Sequence, residues 1–479
     1  MSVKNFYITT TLPYVNSDPH IGFAMEIIRA DAIARFHKLQ GDNVFFNTGT
    51  DEHGLKIYQK AFNLGQNTQD FVDGYAEAFK NLKGILNLSE DLHFVRTTDS
   101  RHVEAAQEFW KRCNDNGYIY KKLYQAKYCS GCELEKTDVE IENGHCFIHP
   151  NIDLILIDEE NYFFKFSEFQ KPLLEFYAKH PDFVVPDFRF NEIKAFVERG
   201  LQDFSISRLK SKMPWGVPVP GDDGHVMYVW FDALVSYIST LGWPKDTASF
   251  EQWWVSTGGV VQYCGKDNLR QQSAMWQAML MAAGLPNSKQ IVINGFITSG
   301  GQKMSKSLGN VVSPIDIVNE FGTDALRYYV LREFSPFEDS DFTLEKFKES
   351  YNAGLANGLG NLVSRVMKMA TTYDVRLPDV ALVVDEEKYT KAFESFEINK
   401  ACQYIWSLIQ DADRLIQETE PFKLIKTDPE KAKKIVGDLL SRINFIAVVL
   451  RPILPETSKI VEECVTSHTM PEKPLFLRK

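Results

Sequence analysis

The stretch from Asn5 to Arg35, NFYITTTLPYVNSDPHIGFAMEIIRADAIAR, constrains the fold of this chain more than any other. Phe6-Tyr7-Ile8-Thr9-Thr10-Thr11 has the aromatic and β-branched composition of a buried strand. A break with Pro13, Asn16, Asp18 and Pro19 follows, and then Ala24, Ile27, Ile28, Ala32 and Ile33 recur at helical spacing. A strand, a loop of turn formers and a helix opening near His20-Ile21-Gly22 are therefore expected. A helix N-terminus presents unpaired N–H groups and a positive dipole end, which suits a phosphate. Gly22 lets a ligand approach the backbone, and His20 can donate a hydrogen bond to a phosphoryl oxygen. Taken alone, the same pattern also describes an ordinary capped helix.

A second stretch narrows the choice. Gly300-Gly301-Gln302-Lys303-Met304-Ser305-Lys306-Ser307-Leu308-Gly309-Asn310 places two lysines three apart in a glycine-flanked loop. Two ammonium charges on such a loop suit a polyphosphate leaving group. PHIGF near residue 20 and KMSKS from residue 303 resemble the two signatures of the class I aminoacyl-tRNA synthetases. TLPYVNSDPHIG, GTDEHG, MYVWFDALVSY, GTDALRYYVLREFSPFEDSDF and NGLGNLVSR resemble the methionyl-tRNA synthetases in particular, and the resemblance covers nearly the whole chain.

At 479 residues the chain is too long for one core. Its 44% hydrophobic and 24% charged residues are ordinary for a globular protein. No stretch reaches the roughly 18 apolar residues of a membrane span. MSVKNFYITT lacks the segments of a signal peptide, and seven cysteines argue against a disulfide framework. A cytoplasmic protein without membrane attachment is expected. A net charge of −11 does not exclude a nucleic-acid partner, because an acidic protein can carry a local basic track.

Residues 1–117 alternate strand and helix patterns, as in a doubly wound, Rossmann-like parallel sheet. Asn43 to Thr48 reads as a second strand, with Asp51 in the loop at its carboxyl end, where open α/β sheets bind ligands. Residues 118–216 read as an insertion. Cys129-x₂-Cys132 and Cys146-x₂-His149 supply four ligands at the spacing of tetrahedral zinc, with His145 as the rival to His149. Four protein ligands imply one closed, structural site. The strand–helix pattern resumes over 217–288, where Trp230, Ala233 and Tyr237 fall on one helical face. Residues 289–345 hold the lysine loop, then a helix and the segment Gly322 to Phe342, and 346–479 are all helical. Asn361 and Arg365 lie four apart on one helix, within reach of unstacked bases. The expected fold class is thus an α/β catalytic domain split by a zinc-knuckle insertion, followed by an all-α bundle.

The resemblance implies roles for these positions. His20, Gly22, Gly265, Asp267, Lys303, Ser305 and Lys306 would bind ATP, with His20, Lys303 and Lys306 acting in catalysis. Leu12, Tyr14, Asp51, Trp230, Ala233, Tyr237, Asn268 and Gln272 would form the methionine pocket, Asp51 taking the α-amine. Asn361, Arg365 and Phe422 would read the anticodon of tRNA(Met), and the segment Gly322 to Phe342 would link catalysis to the tRNA stem. Magnesium is expected with ATP, and the absence of the family's dimerising tail implies a monomer. Synthetases for isoleucine, valine and leucine carry a long editing insertion, which about a hundred residues here do not match. The cysteine enzyme uses zinc beside its substrate, which a closed knuckle does not offer. The chain departs from the family at Phe23, Asn268, Gln272, Asn294 and Phe422, which motivates a rival reading as a synthetase-derived RNA- or nucleotide-binding protein. Because a buried tyrosine hydroxyl needs a partner and an amide can serve, Gln272 is expected to hydrogen-bond Tyr237.

Overall fold

A computed structural model describes residues 3–132, 134–136, 140–304, 310–379 and 386–479. Contacts gather the chain into two compact units. One comprises Met1–Asp18, Val44–Asn81 and Asp91–Ile293; the other comprises Pro19–Asn43, Leu82–Glu90 and Asn294–Lys479. No helix among the described residues is long and apolar enough to cross a membrane.

The first unit is built on a six-stranded sheet. Its order is Val184–Val185, Gln290–Asn294, Val261–Gly265, Asn5–Thr10, Asn43–Thr50, His93–Arg96. The first strand pairs in parallel with Val261–Gly265, and Asn43–Thr50 pairs in parallel with His93–Arg96. Chain order therefore reverses beside Asn5–Thr10, the place where open α/β sheets open a binding crevice. Thr9, Thr10, Asn47 and Thr48 are polar yet buried in these strands. They satisfy one another: Thr10 Oγ1 lies 2.7 Å from Thr48 Oγ1, and Asn47 Nδ2 donates to Thr9 Oγ1 at 3.2 Å. An aromatic core packs beside the sheet, with Phe109 stacked on Trp276 at 5.5 Å and edge-on to Phe231 at 5.9 Å. The insertion is a long antiparallel pair, Ile119–Cys129 with Ile155–Phe164, in register from Ile119 opposite Phe164 to Tyr128 opposite Ile155.

The second unit opens with the helix Ile21–Leu39, the helix expected to follow the first strand. Contacts group it with the carboxyl-terminal half of the chain, and one buried ion pair explains why. Asp31 and Arg327 are both fully buried and meet at 2.8 Å. Arg327 also donates to the carbonyls of Ile453 at 2.9 Å and Pro452 at 3.0 Å, while Asp31 accepts from Ser89 N–H at 2.8 Å. Burial pushes the Asp31 carboxyl up, but Arg327 and Arg35 outweigh it and hold the group below the usual carboxylate range. A buried pair is costly to break singly, since the survivor is left uncompensated. A small sheet of Ile297–Ser299, Gln302–Lys303 and Ser340–Phe342 precedes a run of helices that includes Asn361–Tyr373, Ile398–Thr419 and Pro429–Leu450.

Candidate active site

The residues expected to hold the amino acid gather at the carboxyl edge of the sheet. After the first strand the chain re-pairs with the end of the second: Asp51 N–H donates to Pro13 O at 3.0 Å, and Val15 N–H donates to Asp51 O at 3.3 Å. This bridge sets Tyr14 beside Asp51. Leu12, Tyr14, Asp51, Trp230, Ala233, Tyr237, Asn268 and Gln272 line one cavity together with Thr11, Leu234 and Gln271. All eight residues expected for methionine therefore come together. Trp230 Nε1 donates to the Tyr14 hydroxyl at 3.1 Å, which fixes two aromatic walls to each other.

Behind that wall runs a buried chain of amides. Gln272 Nε2 donates to the Tyr237 hydroxyl at 2.8 Å, the contact expected from the sequence. Gln262 Nε2 donates to Gln272 Oε1 at 2.7 Å, and Ser288 Oγ donates to Gln262 Oε1 at 2.6 Å. Each donor fixes the orientation of the next amide, so Gln272 must present its NH₂ to Tyr237. Gln272 sits in a π-helical turn, Gln271–Met275, that follows the strand Val261–Gly265 and the 3₁₀ turn Lys266–Asn268. Gly265 and Asp267, the residues expected at the adenosine, lie on that strand end and turn, and Asn268 Nδ2 donates to Asp267 Oδ1 at 3.2 Å.

The loop after the second strand sends three successive side chains to different tasks. Asp51 faces the pocket. Glu52 takes a forked pair of hydrogen bonds from Arg96, at 2.7 and 2.8 Å, and its carbonyl accepts from Trp215 Nε1 at 2.6 Å. His53 Nδ1 lies 2.8 Å from Asp232 Oδ2, both buried, which ties the loop to the helix Val229–Ala233. Burial raises the Asp232 carboxyl above its ordinary value despite His53. Sequence reasoning missed His53, Asp232, Gln262 and Ser288. For Asp232 and Gln262 the signal is a polar side chain inside an apolar run, VWFDALV and VVQYC, whereas His53 and Ser288 sit among polar neighbours and offer none.

In the second unit, His20, expected at the phosphates, caps the helix Ile21–Leu39, its Nδ1 accepting from Gly22 N–H at 3.1 Å. An Nδ1 that accepts carries no proton, so the neutral ring holds its proton on Nε2. A Cβ on Gly22 would stand 2.9 Å from the His20 ring, so the glycine makes room for its own neighbour. Its N–H is thereby engaged by the histidine. Ile297–Ser299 and Gln302–Lys303 form a hairpin turned by Gly300 and Gly301, both at positive φ, where glycine carries no Cβ penalty. Asp341 Oδ1 accepts from Gly301 N–H at 2.7 Å and Thr298 Oγ1 at 2.8 Å. Lys303 ends that hairpin; Ser305 and Lys306 lie outside the described residues.

The knuckle brings Cys129, Cys132, Cys146 and His149 together, their ligand atoms all within 4.8 Å of one another. Cys132 Sγ lies 3.5 Å from Cys146 Sγ and 3.1 Å from His149 Nδ1. Thiolates about 2.3 Å from a tetrahedral zinc stand roughly 3.8 Å apart, so the set fits a metal of that size. A Cβ on Gly131 would lie 2.7 Å from the His149 ring, so the Cys-x₂-Cys turn needs glycine there. His145 is 3.5 Å from Ile152 O and does not join the cluster.

In the helical part, Asn361 begins the helix Asn361–Tyr373 and its side chain is exposed. Arg365, one turn on, is half-buried and pairs with Asp413 at 3.2 Å. Phe422 follows Pro421 and is 43% exposed.

Comparison with known proteins agrees along the chain. A family model described as tRNA synthetases class I (M) matches residues 6–149 and 132–367. A second, the anticodon binding domain of methionyl tRNA ligase, matches residues 379–473. A methionine–tRNA ligase of Nostoc sp. is 41% identical over 475 residues, covering 95% of this chain and 88% of that protein. Its counterpart from Thermotoga maritima is 39% identical over 485 residues, covering 98% of this chain and 76% of that protein. Among solved structures, Mycobacterium tuberculosis methionyl-tRNA synthetase in complex with methionyl-adenylate matches at a TM-score of 0.89 with 34% identity, covering 96% of this chain and 93% of that one. Identity at this level over nearly the whole length settles kinship as well as fold: the chain belongs to the methionyl-tRNA synthetases of class I.

Proposed function

We propose that the protein activates methionine with ATP and passes the methionyl group to the 3′ adenosine of tRNA(Met). The observation that carries this reading is the single cavity that joins Asp51 to the aromatic walls Tyr14, Trp230 and Tyr237. A carboxylate at one end suits an α-ammonium group, and polarizable sulfur packs well against ring edges. In the first step a methionine carboxylate oxygen attacks the α-phosphorus, the bond to the bridging oxygen breaks, and pyrophosphate leaves. The substrate supplies the nucleophile, so the protein's task is positioning and charge stabilisation. His20 donates from Nε2 to the phosphoryl group, and Lys303 and Lys306 hold the departing pyrophosphate, with Ser305 beside them. Gly265 and Asp267 take the adenosine, and magnesium enters with ATP. In the second step the terminal ribose hydroxyl attacks the adenylate carbonyl and AMP leaves. Asn361, Arg365 and Phe422 read the anticodon. Cys129, Cys132, Cys146 and His149 hold one structural zinc.

The rival, a binding protein without aminoacylation, gains nothing from Gln272, because that departure rebuilds a hydrogen bond to the pocket tyrosine. ATP–pyrophosphate exchange measured across the twenty amino acids tests the proposal. Exchange stimulated by methionine is the expected result. Stimulation by none of them would leave only the binding-protein reading.

A further inference from the structure

The segment after the last helix folds back onto the helix that leads into Asn361. Tyr351 donates its hydroxyl proton to Leu477 O at 2.8 Å. Asn352 makes two bonds to Lys479, Nδ2 donating to the carbonyl at 2.8 Å and Oδ1 accepting from N–H at 3.0 Å. Arg478 Nε donates to Asn357 Oδ1 at 2.7 Å. Phe476 lies edge-on to Tyr351, ring centroids 6.1 Å apart, and a Cβ on Gly360 would stand 3.6 Å from its ring. The tail is thus held at four successive residues.

Between tail and helix lies a cavity of about 360 Å³, lined among others by Asn357, Asn361, Ser364, Phe476 and Arg478. That size is within the ~300–1,000 Å³ range of small-ligand sites. None of its lining residues is acidic, in a chain whose net charge is −11. Among the described residues, neither the Asn361 amide nor the Ser364 hydroxyl has a hydrogen-bond partner in the protein, and Arg478 is engaged only through Nε. An amide, a hydroxyl and a guanidinium around the edge of an aromatic ring are what single-stranded RNA recognition uses. Unstacked bases are sandwiched by rings or guanidinium planes and hydrogen-bonded along their edges.

We propose that this cavity receives one base of the tRNA anticodon loop, with Arg478 and Phe476 of the tail forming the wall opposite Asn361. The inference rests on the reading of Asn361 and Arg365 as anticodon contacts and adds to it a binding element from outside the 379–473 anticodon-domain match. Held by Asn357, the guanidinium offers its two terminal nitrogens to a base edge.

The test compares tRNA(Met) binding and aminoacylation for the full-length wild type, Arg478→Ala and Arg365→Ala. The tRNAs carry the native anticodon loop or one altered nucleotide at a time. Methionine-dependent pyrophosphate exchange, which needs no tRNA, reports whether each variant is folded. Arg478→Ala is expected to weaken the native tRNA by roughly 5- to 100-fold and to lose discrimination at one loop position, the range for a base-edge contact. Arg478→Lys should recover binding only in part, because an ammonium does not reproduce the planar fork. Equal weakening of every tRNA, with a shallower salt dependence, would mean a phosphate contact and overturn the base pocket. If Arg365→Ala impairs recognition while Arg478→Ala does not, the tail proposal fails and the anticodon reading stands. If neither variant matters, both fail together.

Discussion

The two proposed recognition sites, the cavity around Tyr237 and the helical face with Asn361 and Phe422, are built in opposite ways. Tyr237, Gln272 and Gln262 are buried, each holding the next through a bond of 2.7 or 2.8 Å. Asn361 and Phe422 stand exposed, and Arg365 is held by one half-buried carboxylate. The difference teaches where a substitution hurts. In the pocket a removed partner leaves a buried group with an unmade bond, costing about 1–3 kcal/mol. On the exposed helical face proposed to read the anticodon, water replaces whatever is lost.

The sharpest break comes at the charged end of the pocket. Asp51→Asn keeps the shape and removes the charge facing the ammonium group, so the methionine KM should rise about 10²-fold, near the top of the range for a charge-assisted bond. Steady-state exchange kinetics with methionine varied would show it, and an unchanged KM would dissociate Asp51 from the substrate amine. Next in size is Gln272→Leu. It removes the bonds that Gln272 makes to the Tyr237 hydroxyl and the Gln262 amide, so the methionine KM should rise roughly 5- to 100-fold with the ATP KM nearly unchanged. A comparable change in both KM values would mean general disorder rather than a pocket effect.

Arg365→Ala sharpens the comparison from the other side. Aminoacylation of tRNA(Met) should fall about tenfold, in the lower part of the ~1–3 kcal/mol range of a base contact, while pyrophosphate exchange keeps its wild-type rate. Freed of Arg365, whose charge lowers the Asp413 pKa against a larger upward push from burial, Asp413 also moves further up. Equal losses in both assays would count against a role in RNA reading. The smallest effect is expected from Phe422→Ala, about fivefold on aminoacylation, because stacking on an exposed ring sits at the low end of ~1–3 kcal/mol per base. Measured tRNA affinity for the Ala and Trp replacements should rank Trp above Phe above Ala.

What the sequence disclosed follows from how local the physics is. Strand, loop and helix from Asn5 to Leu39 were legible because each is decided by neighbours within a few residues. So was the cluster at Cys129, Cys132, Cys146 and His149, since two short chelating turns fix their own geometry. The partnership of Gln272 with Tyr237 was reachable by asking what a buried hydroxyl requires. His53 with Asp232 was not: 179 positions separate them, and only the fold of the sheet edge brings them together. The same holds for Asp31 with Arg327, whose pairing groups the signature helix with the carboxyl-terminal half. At Gly22 the sequence suggested a ligand's approach path but not that the missing Cβ also makes room for the His20 ring.

The π-helical turn Gln271–Met275 carries a consequence for how this pocket tolerates length changes. A π turn holds one residue more than an α turn of the same span, and each residue advances an α-helix by about 100°. Deleting a single residue from this turn would let it relax to ordinary α geometry, with Trp276–Ala282 continuing in place. The deletion would also swing Gln272 out of phase with Tyr237. A one-residue deletion here should therefore yield a chain that folds and melts nearly as before yet has lost its grip on methionine. The pocket is written into the phase of one helix, and an insertion or deletion can erase it without disturbing the core.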